Sequence, residues 1–185
     1  METVTSLVNT LPHRRSARRS RVRSAGELVV FLAVVAAIAA AEGAVSLGGV
    51  GGWFDASAQV VWTPPPWFSR TVWAVVFVLL GVAGWDIWRC TSSAARRGAR
   101  TGYVLCLVLL AVWPPVYLGG YPLIGAPALW IAFALAAVLT ASVVGLALAV
   151  WRTARTAAVL LLIAATWLLY VATINIGDAV LATLG

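Results

Sequence analysis

Five apolar blocks organise the chain, at about residues 28–47, 71–88, 103–118, 128–151 and 157–176. Each is rich in Ala, Leu and Val, and each ends at charges, glycine or proline. The apolar residues come as continuous runs, with neither the period of a half-buried strand nor that of a one-sided helix. Crossing the hydrocarbon core takes about 20 such residues. In lipid the backbone must bond to itself, so each block is expected to be a transmembrane helix. A barrel would instead show alternating segments of about ten residues. The first block, "LVVFLAVVAAIAAAEGAVSL", is too long and too poor in a cleavage site for a signal peptide, and is expected to be a retained span. The fold class expected is all-α integral membrane, a five-transmembrane-helix bundle over residues 28–185. Residues 1–27 are expected to be a basic, disordered arm.

Composition agrees. Of the 185 residues, 62% are hydrophobic and 10% charged, against about 25% charged in a soluble domain. Lysine is absent, and the arginines are unevenly spread. Six precede the first block, four (Arg89, Arg96, Arg97, Arg100) separate the second from the third, and two (Arg152, Arg155) separate the fourth from the fifth. Only Arg70 falls on the opposite side. The positive-inside rule then expects the N-terminus in the cytoplasm and the C-terminus outside. The net charge of +7 reflects this bias, and the arm's position beside a span favours leaflet electrostatics over nucleic-acid binding. The Ala- and Arg-rich composition suits a bacterial cytoplasmic membrane.

Catalytic signatures are missing. His13 is the sole histidine, so no metal cluster or Ser/His/Asp set can be assembled. Cys90 and Cys106 are expected on the reducing side, which argues against a disulfide. Asp86 and Arg89 have the spacing of an i,i+3 pair on one helix face. Ala137, Ala141, Gly145 and Ala149 form a small-residue stripe that suits close helix approach, inside the protomer or between two. Glu42 lies inside the first block, facing either a cavity or the nearby interface.

The loop "VVWTPPPWFSRTVW" is the unusual segment. Each proline fixes its φ and restricts its predecessor to extended geometry, so three together make a stiff strap. Indoles have a wide apolar face and one N–H donor. An aromatic belt accounts for Trp88, Trp130 and Trp151 near span ends. It does not account for Trp53, Trp62 and Trp67 along one stiff loop, which is expected to cover the mouth of the bundle.

The stretch "WFDASAQVVWTPPPWFSRTVW" resembles the TspO/MBR family, the tryptophan-rich sensory proteins that include the peripheral-type benzodiazepine receptor. Trp53, Trp62, Pro64, Pro65, Trp67 and Trp73 match the family's first-loop motif without a gap. Phe54 replaces a tyrosine, and Gln59–Val60 replace Lys-Pro. "LLAVWPPVYLGG" is similar to the third-helix motif through Trp113, Pro115, Tyr117 and Gly119, with Leu110 in place of asparagine. "LLLIAATWLLYVATIN" is similar to the fifth-helix motif through Trp167, Tyr170, Ile174 and Asn175, with Ile163 and Ala164 in place of Pro-Tyr.

The resemblance implies a homodimeric five-helix bundle whose pocket takes a tetrapyrrole such as protoporphyrin IX, or a similar hydrophobic small molecule, in contact with membrane lipid. It requires no cofactor and implies a receptor or carrier acting in tetrapyrrole or stress responses. A light-dependent porphyrin-degrading enzyme and a regulatory subunit without a ligand are the alternatives. Trp53, Trp62, Pro64, Pro65, Trp67, Trp73, Phe77, Trp113, Tyr117, Trp167, Tyr170 and Asn175 are the expected ligand-binding residues. Arg70 joins them as the cation for a propionate. The apolar replacements at Leu110, Ile163 and Ala164 remove polar contacts from that pocket.

Overall fold

A computed structural model of the chain describes residues 11–49, 59–90 and 93–184. Trp53 and Phe54 lie outside the described residues, as do the side chains of Glu42 and Cys90. The described chain is helical throughout apart from short connections. Helix α1 spans Leu11–Gly49, α2 Pro66–Cys90 and α3 Ser93–Pro114; a π-helical segment, Pro115–Gly119, leads into the short α4, Gly120–Ile124. Helix α5 spans Ala126–Val150 and α6 Arg155–Leu184. Five stretches, in α1, α2, the α3–α4 continuum, α5 and α6, are long and apolar enough to cross a membrane.

These helices outrun the apolar blocks. α1 begins at Leu11, within the segment expected as an irregular arm. Arginine and alanine are good helix formers, and a nucleated helix propagates cheaply through them. Pro66 starts α2, where its missing N–H costs nothing. Pro114 and Pro115, by their chemistry, should end the third span. The chain instead continues through them by widening into the π turn, which tolerates the bonds that the prolines cannot make. The real break comes at Gly125, whose φ of 68° is left-handed and suits glycine.

The helices pack in a ring. α1 lies beside α2, α2 beside α6, α6 beside α5, and α5 beside α3, which closes back on α1 and α2. Lipid tails are as apolar as leucine, so this packing rests on close van der Waals fit. Small residues supply the fit: Ala83, Ala147, Ala157, Ala158 and Ala164 are fully buried. Gly84 lets Tyr103 of α3 lie directly against α2, and the phenol donates to the Leu80 carbonyl at 2.9 Å. The stripe of Ala137, Ala141, Gly145 and Ala149 faces outward on α5, which removes the interior alternative.

The arginine-bearing end is tied by contacts between neighbouring elements, around a cluster in which Phe31, Trp88 and Tyr103 meet edge-on. Trp85 Nε1 donates to the Ser24 carbonyl at 3.0 Å. Arg89 lies over the Trp85 ring at 4.4 Å and Arg100 over Trp88 at 4.6 Å. Asp86 reaches α6, accepting the Ala157 N–H at 3.0 Å and so capping that helix's first turn. Sequence spacing alone pairs Asp86 with Arg89 on its own helix. Helix α2 runs close enough to the start of α6 for the carboxylate to meet an otherwise open backbone donor.

Candidate functional site

At the opposite end, rings from three helices form one connected column. Trp73 of α2 stacks on Trp113 of α3 with centroids 5.9 Å apart and planes 29° apart. Trp113 stacks in turn on Tyr117 at 5.4 Å and 13°. The π turn begins between these two residues, and Tyr117 ends up buried on the same face. From α6, Trp167 meets Trp73 edge-on at 6.2 Å and 87°. Phe77 branches from Trp73 at 5.9 Å, and Tyr170 from Trp167 at 5.3 Å. Phe68 and Trp67 extend the series outward. Each such pair is worth about 0.5–1.5 kcal/mol beyond its area.

Polar groups on α6 fix the orientation of the column. Trp113 Nε1 donates to Asn175 Oδ1 at 3.0 Å, and Asn175 Nδ2 donates to the Val171 carbonyl at 2.9 Å. Asn175, 1% exposed, is thereby held on both sides of its amide. Three residues on is Asp178, 7% exposed. Its Oδ2 accepts from the Tyr117 hydroxyl, and its Oδ1 accepts the Val60 N–H at 3.3 Å. A carboxylate in this setting is costly unless such donors surround it.

The strap, Gln59–Pro65, lies across this end. A turn closes it, with Thr63 N–H donating to the Val60 carbonyl at 2.9 Å. Tyr170 donates its hydroxyl to the Trp62 carbonyl at 2.6 Å. Val60 is buried against Gly177, where a Cβ would collide with the valine and stand 3.2 Å from Trp62 Cζ2.

The sequence-expected residues therefore divide. Trp73, Phe77, Trp113, Tyr117, Trp167, Tyr170 and Asn175 come together. Trp62 is 49% exposed and engages α6 through its carbonyl and one ring edge. Trp67 is 69% exposed and touches only the outer fringe of the column through Phe68. Arg70 and Pro65 are exposed, and Pro64 is half-buried. Sequence reasoning misses Asp178 and Phe68. The fifth apolar block ends at Ile176, which by itself puts Asp178 beyond the span. A lone acid within "NIGDAVLATL", three residues after Asn175, is the available signal.

Beside the column, α2 and α6 leave an open groove of about 270 Å³, just under the ~300 Å³ lower bound of small-molecule pockets. Phe68, Val72, Val76, Leu79, Ile163 and Trp167 line it. Trp167 Nε1 is buried without a hydrogen-bond partner. Among the described residues, no group of three metal-ligating side chains converges.

A ring of membrane-spanning helices, with stacked indoles at one end and a proline-stiffened strap tied to α6 beside them, defines a small helical integral membrane protein with an aromatic site. The model of the TspO/MBR family matches residues 29–180, and the chain belongs to that family. A search of curated proteins found no match to the chain.

Proposed function

We propose that the protein is a membrane receptor or carrier for a tetrapyrrole or a similar flat apolar molecule, bound at the strap end of the bundle. The observation that carries this reading is the placement of Trp73. One indole stands stacked on Trp113 and edge-on to Trp167, at the junction of three helices, at the end of the bundle where the loop is tethered. A planar guest that parts these rings keeps their stacking energy, because it offers each ring a new face. The free Trp167 N–H supplies a polar contact that orients a largely apolar ligand, while Asn175 holds Trp113 in place. Arg70 is exposed on the outer turn of α2 and is a rim contact for a propionate.

The reading includes an N-terminus in the cytoplasm of a bacterial cell, with the strap outside. It also includes a homodimer, for which the outward small-residue stripe of α5 would permit close approach. Titrating protoporphyrin IX into the purified protein, followed by tryptophan quenching, tests the core of it. Saturable binding is expected. Trp73→Ala weakens it about tenfold, the loss of one ring stack. Equal affinity and equal quenching in the variant would overturn the assignment.

A further inference from the structure

We infer that Asp178 and Tyr170 are the latch of the strap, with Gly177 as its seat, and that this latch gates admission to the aromatic column. It rests on the proposed function only in taking the opened strap as the ligand's route.

Three contacts converge on one face of α6. Val60 N–H lies outside any helix and must find a partner elsewhere once buried. Asp178 Oδ1 supplies it at 3.3 Å. The Trp62 carbonyl, two residues on, is held by the Tyr170 hydroxyl at 2.6 Å. Between these anchors, the Val60 side chain sits on Gly177 in space that a single methyl group would fill. The turn from Val60 to Thr63 keeps both anchors on one rigid unit, and the three prolines stiffen the chain from there into α2.

The latch also reaches the column. Asp178 divides its oxygens, Oδ1 to the strap and Oδ2 to Tyr117. Tyr117 stacks on Trp113, and Trp113 on Trp73. Rings that move apart for a guest therefore draw on the same carboxylate that holds the strap down. A carboxylate is suited to this because it accepts from two directions at once. Neither Tyr170 nor Gly177 needs to touch a ligand to set how readily the strap lifts; they are positioning residues.

Hydrogen exchange on the full chain in nanodiscs, without ligand, tests the latch. The readout is the amides of residues 60–63 against those of α5. Tyr170→Phe and Gly177→Ala are each expected to speed strap exchange about tenfold, as expected when one hydrogen bond or its seat is lost locally. α5 should stay unchanged. Gly177→Ala is the sharper variant, because alanine favours helix and would slow exchange if α6 alone mattered. Asp178→Leu should give the largest local effect, and the two milder variants decide the matter if it fails to fold. Strap exchange unchanged in both, or a matching rise in α5, overturns the proposal. Stopped-flow mixing with protoporphyrin IX tests the gate. Faster association in Gly177→Ala supports it, and an unchanged rate despite a lifted strap overturns it. Failure of the wild type to bind porphyrin would sink the ligand reading and the gate together, while the latch still stands or falls on exchange alone.

Discussion

The two ends of the bundle use tryptophan in opposite ways. At the arginine-bearing end, Trp85, Trp88 and Trp151 each carry a guanidinium over one face, at 4.4, 4.6 and 5.6 Å. These indoles sit at the rim, each with its own cation. At the strap end Trp73, Trp113 and Trp167 meet one another's rings, and the N–H of Trp113 meets Asn175 while that of Trp167 stays unpaired. The first arrangement suits anchoring: each cation covers one ring, although Trp85 also reaches Ser24 and Trp88 also packs edge-on against Phe31 and Tyr103. The second is a shared structure, in which Trp113 serves Trp73, Tyr117 and Asn175 together. Residue type alone does not separate these roles; what packs against each ring does.

Single substitutions sharpen the contrast. Trp113→Ala should have the largest effect, lowering stability by about 3–5 kcal/mol in detergent unfolding, because a large buried ring leaves a cavity. It also leaves Asn175 without its indole donor. A loss below about 1 kcal/mol would show that the column relaxes around the gap. Asp86→Ala should come next, at about 1 kcal/mol, through loss of the cap on α6, with Asp86→Asn restoring most of it. Hydrogen exchange confined to the first turn of α6 would confirm the cause. Arg155→Ala should be smallest, at about 0.5 kcal/mol or less, given an exposed cation 5.6 Å from its ring. A large effect there would mean that the arginine end is as cooperative as the strap end.

The bundle is legible in the sequence because spanning helices announce themselves by apolar length. Their ends are not. Charges and prolines that stop an apolar run do not stop a helix, so α6 continues past Ile176 to Leu184 and takes Asp178 with it. The spacing of Trp62, Trp67 and Trp73 marks a loop that lies at the column's end of the bundle, and Trp73, Trp113 and Trp167 converge. That the strap engages α6 mainly through backbone groups of Val60 and Trp62 is not readable. Backbone partners leave no trace in residue type, and Gly177 looks like any other small residue in an Ala-rich helix. The proline pair misleads in the other direction: Pro114–Pro115 reads as a terminus, and only the π turn shows how Tyr117 stays in register with Trp113.

Helix α6 is pinned twice, by Asp86 at Ala157 and by the strap and Tyr117 at Asp178. The pins stand 21 residues apart, about 30 Å along the axis. One tie holds α6 to α2, and the other holds it to the strap and the end of the third span. The groove between α2 and α6, with Ile163 and Trp167 on its α6 wall, therefore lies between the two pins.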